Sequence, residues 1–313
     1  EHYDAMYIGH MDTVFPDGTA EKRPFRIEGE NYYGPGVGDM KNGDLAMFHI
    51  AANLPETEKK CLNIAMVYNP DEEIGSIYSK EITDRIGCKA DHIFVMESAG
   101  KNGTRHCFAR KGSLTYDIEF QGQAAHAGFM FEVENASAVL EMGHYIVELM
   151  SLADREKDTT VNVGIANGGT ARNVVADHAK ISVEMRFRDD SERIRLKEYV
   201  NKITEGQPFV PGVKTTITMQ KETPPFIKTE EAKKYIERVR KVAEEQGIPF
   251  EEKDRGGLSD ANHLSRCGNA IVMDGMGPHG ANDHSEKEYG YIGSVEPCVK
   301  LHLAILKDML KKQ

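Results

Sequence analysis

The chain has 313 residues, enough for two domains that each bury a sizeable core, and 40% of them are hydrophobic, as in ordinary globular proteins. Its net charge of −11 argues against non-specific binding to nucleic acid or anionic membranes. No apolar run approaches the roughly 18 residues of a spanning helix, and five scattered cysteines without a CxxC pair indicate neither a disulfide framework nor a zinc knuckle, which fits a reduced, cytoplasmic setting.

The chain opens on Glu1, and a buried-looking strand begins by Ala5, so a preceding piece of the same domain is expected to be missing from this sequence. "DAMYIGH" reads as a short buried strand ending at His10, with Asp12 two residues on. Asp39 to about Asn53 reads as a helix, with Leu45, Ala46, Phe48, His49 and Ala52 near helical spacing. Cys61–Asn69 is a second apolar strand, Ser76 to about Arg85 a helix, and Asp91–Ser98 a third strand. Strands alternating with helices predict an α/β domain with a mostly parallel sheet covered on both faces, three layers in all.

From Lys111 the pattern changes. Ser113–Gln121 reads as a strand, Val133–Leu152 as a long helix and Thr160–Asn167 as a strand. In Ala179–Arg188 the apolar Ile181, Val183, Met185 and Phe187 alternate with polar neighbours, so it is a strand. Glu192–Glu205 reads as a helix and Lys214–Gln220 as a strand. The order βαββαβ is the ferredoxin-like arrangement and predicts an inserted domain over 111–222. "KETPPF" is a proline-rich exit. The α/β character then resumes with a helix at Thr229–Gln246, a strand within Gly268–Gly275 and a closing helix at Ser294–Lys311. One α/β domain over 1–110 and 223–313, interrupted by a smaller lid, is the simplest reading.

The polar residues gather at strand ends. His10 and Asp12 follow the first strand, Asp39 follows "YYGPGVG", Asp71, Glu72 and Glu73 follow the second strand, Glu97 ends the third, and His284 lies in the loop after the last. In open α/β sheets that edge is where ligands bind. Imidazole and carboxylate donors suit Zn2+, with Co2+ or Mn2+ as alternatives. So many buried anions would otherwise repel one another and lose solvation. Two histidines and several carboxylates suit two metals about 3.5–4 Å apart that share a bridging carboxylate. Asp12 can hydrogen-bond the second ring nitrogen of His10 and fix its tautomer. In extended chain, Glu72 and Glu73 diverge, so one can face a metal while the other acts as general base. His279, five residues before His284, is a rival ligand. "GPGVG" lacks the spacing of a phosphate loop.

"GHMDTVFP", "GPGVGDMKNG", "NPDEEIGS", "MESA", "AAHAG" and "DHSEKEY", in this order, resemble the dizinc exopeptidases that include glutamate carboxypeptidase, aminoacylase, peptidase T and succinyl-diaminopimelate desuccinylase, with the glutamate carboxypeptidase branch nearest. The resemblance implies that His10, Asp39 and Glu97 hold one zinc and that Asp39, Glu73 and His284 hold the other. Glu72 would be the base, Asp12 would orient His10, and the Asp39–Met40 peptide would be cis. It further implies that His126 reaches across a homodimer, formed through the inserted domain, to support the oxyanion. Asn173 and Arg186 would contact the substrate, the arginine at its terminal carboxylate, and Gly257 in "GGLSDAN" would contact it through the backbone. Glu97, where peptidase T has Asp, favours the carboxypeptidase and aminoacylase branches. Met40 and Asn42 stand where close relatives often have Asp and Gly. The implied activity is hydrolysis of an amide or peptide bond next to a terminal amino acid, C-terminal glutamate among the candidates, in a small peptide or N-acyl amino acid. An aminoacylase or di/tripeptidase is the nearest alternative, and a non-catalytic metal- or peptide-binding homologue is another. No nucleic-acid or membrane partner is implied.

Overall fold

A computed structural model describes residues 2–311. The chain divides into two compact units, one made of the residues up to Arg110 together with those from Phe226 onward, the other of Lys111–Pro225. The fold is mixed α/β.

In the first unit four strands form a parallel sheet in the order Ile271–Met273, Ala90–Val95, Tyr3–His10, Ile64–Asn69. Tyr3–His10 is central and buried along most of its length, which explains its near-continuous apolar run. One face packs Tyr7, Phe94 and Met273 against the helices Asn42–Asn53, Glu230–Glu245 and Val295–Leu310 through Met47, Ile50, Val239, Leu301 and Ile305. The opposite face packs Met6, Ile8, Ile93 and Val95 against Ala261 and Leu264 of the short helix Asp260–Leu264. The expected layering of helices on both faces of a parallel sheet is therefore present.

Three element starts of this unit differ from expectation, each for a local reason. The helix expected from Asp39 begins at Asn42, because Val37–Lys41 form an irregular turn in which Asp39 (φ −117°, ψ 94°) and Met40 (φ −131°, ψ 37°) are not helical. The Asp39–Met40 peptide is cis. Cys61 closes a short helix, Glu56–Cys61, so the second strand starts at Ile64. The helix expected from Ser76 starts at Lys80: Ser76 has φ 54°, and the Asp71 carboxylate takes the Tyr78 N–H (2.6 Å), holding 76–79 as a turn. A second, five-stranded sheet leaves no periodic trace in the sequence. Its strands Arg26–Glu28, Asn31–Tyr33, Tyr289–Tyr291, Gly277–Ala281 and Ser98–Ala99 are too short to show a period in the sequence.

The second unit has one antiparallel four-stranded sheet in the order Thr160–Gly168, His178–Phe187, Gly112–Gln121, Lys214–Thr223, with helices Ala138–Met150 and Asp190–Glu205. Its core alternates along the strands: Leu114, Tyr116, Ile118 and Phe120 meet Ile181, Val183, Met185 and Phe187. The helix expected from Val133 starts instead at Ala138, where the Ser137 hydroxyl accepts the Leu140 N–H (3.2 Å). The chain enters and leaves this unit beside one crossing, where Arg110 and Phe226 exchange N–H···O bonds of 2.9 and 3.1 Å.

Candidate metal centre

His10 ends the central strand, and the residue is 1% exposed. Glu97 follows the adjacent strand Ala90–Val95, and Glu72 and Glu73 follow Ile64–Asn69 on the other side. Asp39 comes from the irregular turn, and His284 from the loop between Gly277–Ala281 and Tyr289–Tyr291. Parallel pairing brings the strand ends together, so residues distant in the chain converge at the carboxyl edge of the sheet.

His10 Nε2 lies 3.1 Å from Asp39 Oδ1 and 3.6 Å from Glu97 Oε1. His284 Nε2 lies 3.0 Å from Asp39 Oδ2 and 3.3 Å from Glu73 Oε2. Each oxygen of Asp39 thus faces a different imidazole. Donor atoms of His10, Asp39 and Glu73 lie within 4.8 Å of one another, and so do those of His10, Glu72 and Glu97. His279 is elsewhere: it is buried, with Nδ1 2.9 Å from the Ala99 carbonyl. The structure thus brings His284, and not His279, up to Asp39 and Glu73.

The electrostatics fit cations. Burial, then the neighbouring charges Glu97 and Asp260, push Glu72 well above the usual carboxylate range. Burial and Asp39 raise Glu73 to about 7, and burial with Asp39 also raises Glu97. Burial opposes a charge on His10, yet its contacts with Asp12, Asp39 and Glu97 outweigh this and raise its pKa. Burial likewise opposes charge on Asp39, but His10 and His284 hold it low. Glu73 Oε1 is buried with no hydrogen-bond partner among the described residues. Such a crowd of anionic oxygens around two imidazoles, with one oxygen left over, is the donor set of divalent ions with nitrogen and oxygen ligands.

Asp12 does more than the sequence indicated. His10 Nδ1 lies 3.2 Å from the Asp12 carbonyl and 3.4 Å from its Oδ1. The same carboxylate accepts the N–H groups of Glu72 (3.2 Å) and Glu73 (2.9 Å). These two acids stand on a turn closed by Ser76 N–H to the Asp71 carbonyl (2.7 Å), not on extended chain, so the turn and Asp12 set their directions. Beneath that turn is a buried network the sequence reading missed. Asp260 accepts from Ser76 Oγ (2.6 Å) and Asn69 Nδ2 (2.7 Å) and lies 2.9 Å from His263 Nε2, whose Nδ1 is 2.6 Å from Asp84. Its only sequence signal was its place inside "GGLSDAN". The Gly257 carbonyl, in the same segment, accepts from Arg110 Nη1 (3.3 Å), while Arg110 Nε pairs with buried Asp274.

His126, Asn173 and Arg186 belong to the second unit. Two short strands bring the first two together: His126 sits opposite Val174, and the Ala127 N–H donates to the Asn173 carbonyl (2.9 Å). The His126 ring accepts the Gly128 N–H (3.1 Å). Arg186 is on a different strand, His178–Phe187, with Nη2 2.8 Å from Glu184 Oε1.

A family model described as peptidase family M20/M25/M40 matches residues 6–308. Carboxypeptidase G2 of Pseudomonas sp. (strain RS-16) is 25% identical over 308 residues, which cover 97% of this chain and 73% of that protein. Succinyl-diaminopimelate desuccinylase of Halorhodospira halophila is 24% identical over 323 residues, covering 97% of this chain and 82% of the relative. The crystal structure of a tripeptidase from Staphylococcus aureus matches the fold with a TM-score of 0.80 at 21% identity, over 99% of this chain and 82% of that one.

Proposed function

The chain belongs to peptidase family M20/M25/M40 and is an enzyme of peptide- or amide-bond hydrolysis, and from that premise we propose a dinuclear-metal, carboxypeptidase-like hydrolase that releases a terminal amino acid. The observation that carries this reading is Asp39, whose two oxygens face His10 and His284 separately at 3.1 and 3.0 Å. Two divalent ions, read as Zn2+ with Co2+ or Mn2+ as substitutes, would be held by His10, Asp39 and Glu97 and by Asp39, Glu73 and His284, and when bound supply a Lewis acid for the scissile carbonyl and acidify a water.

The rest falls to the chain's own residues. Glu72 accepts the proton of the attacking water on its carboxylate and passes it to the departing amine nitrogen. Asp12 keeps Glu72 and Glu73 in place through their N–H groups and keeps His10 in one tautomer. His126, from a second copy of the chain in a homodimer, donates to the developing oxyanion. Arg186 takes the free carboxylate of the substrate; Asn173 and the Gly257 backbone are further substrate contacts. Small peptides and N-acyl amino acids with that carboxylate are the substrate class, C-terminal glutamate first among them, and the setting is a reducing cytoplasm, which suits the free cysteines.

A panel of acyl-amino acids, dipeptides and tripeptides, assayed with Zn2+, separates carboxypeptidase, aminoacylase and tripeptidase action. On whichever substrate turns over, Glu72→Gln should lower kcat by about 10²–10⁴-fold while two metal ions per chain remain bound. Undiminished turnover by that variant would remove Glu72 from its role.

A further inference from the structure

Glu288 lies four residues beyond His284, just ahead of the strand Tyr289–Tyr291. It carries a carboxyl group, and the residue is 1% exposed. Burying a carboxylate is costly unless its oxygens are satisfied. Here three backbone donors satisfy them: Oε2 accepts the Gly36 N–H (2.9 Å), and Oε1 accepts those of Gly38 (2.8 Å) and Asp39 (3.0 Å). Gly36 has φ 71°, a left-handed conformation that glycine adopts without strain and that turns these N–H groups to one side. At Gly38 a Cβ would stand 3.0 Å from the Tyr289 carbonyl, so the two backbones approach closely there. The result is a concave seat of N–H groups of the kind that binds anions. The chain fills it with its own carboxylate, using bonds about twice as strong as neutral ones.

With both oxygens engaged by backbone, Glu288 is placed to hold the ligand-bearing segments rather than to serve as a ligand itself. One end of the contact is the main chain of Asp39; the other is the segment that carries His284. We propose that Glu288 is a positioning residue of the metal centre, locking the Asp39 turn and the His284 loop into one piece so that the two Asp39 oxygens keep facing the two imidazoles. This rests on the dinuclear reading above. Glu288→Gln swaps one oxygen for an NH2 group and thereby sets a donor against one of the seat's own donors. Glu286, two residues earlier and exposed, provides a matched control.

The test is titration of the metal-free full chain with Co2+, followed by calorimetry and by visible absorption. The wild type and Glu286→Gln should bind two ions with the same affinities and the same spectrum. Glu288→Gln should bind them about ten- to hundredfold more weakly, with altered absorption bands, although its metal-free unfolding transition remains cooperative. A folded Glu288→Gln protein with wild-type affinities and bands overturns the proposal and leaves the dinuclear reading standing. A wild type that binds fewer than two ions overturns both. If Glu288→Gln does not fold, Glu288→Asp, which keeps the charge but is one methylene shorter, is titrated in its place and judged by the same two outcomes.

Discussion

Gly43 shows how little room surrounds the centre. It stands in the first turn of the helix Asn42–Asn53, and a Cβ there would collide with the Met96 carbonyl oxygen, next to Glu97. Because a backbone atom blocks the space, no side-chain rotation relieves it. Gly43→Ala should cost about 1–3 kcal/mol, read from urea unfolding of the metal-free protein; unchanged stability would show that the helix start can shift at no cost. At this scale the sequence was legible where chemistry and position agreed. His10, Asp12, Glu72, Glu73 and Glu97 stand where apolar runs stop, and a polar residue there needs a reason. It was silent where a side chain meets backbone far along the chain. Nothing in "DHSEKEY" marks Glu288 as buried and Glu286 as exposed, and nothing near Asp12 announces the N–H groups of Glu72 and Glu73.

Among the elements, the helix Glu230–Glu245 is the most plainly written. Ala232, Tyr235, Ile236, Val239, Val242 and Ala243 form its buried stripe, with charged residues on the other side, and Thr229 caps it by accepting the Ala232 N–H at 3.1 Å. Thr229→Ala should therefore lower stability by about 1 kcal/mol, visible as a shifted thermal midpoint with turnover unaffected at temperatures below the transition; an unmoved midpoint would mean that water caps the helix equally well. Strands buried on both faces, such as Tyr3–His10, and strands with one buried face, such as His178–Phe187, were readable from their apolar patterns. The five-stranded sheet was not, since three of its strands have three residues and one has two. Its register comes from turns and close glycine contacts, which leave no period to find.

For the whole molecule, two buried histidines outside the strand-end cluster tie stability to pH. Burial lowers both His106 and His302 to about 4. His106 hands Nδ1 to the Gly275 carbonyl (2.9 Å), and His302 rests between the Met276 carbonyl (2.9 Å) and the Tyr7 hydroxyl (3.2 Å). In the unfolded chain both return to about 6.5. Between those values the unfolded state binds protons that the folded state refuses, so stability falls as pH drops through the window and levels off below it, by about 1.4 kcal/mol per pH unit for each group. His302→Gln should lose less stability than the wild type between pH 6.5 and 5.0, by about 1–2 kcal/mol, in urea titrations of metal-free protein; parallel losses would show that His302 accepts its proton in the folded state. A last consequence follows from the crossing at Arg110 and Phe226. To the half of the molecule that carries the two imidazoles, everything from Lys111 to Pro225 is topologically a single excursion that departs from and rejoins neighbouring points. Changes of length within such an excursion leave every rung of the parallel ladder in place, and with it the meeting of His10, Glu73 and Glu97 at the strand ends.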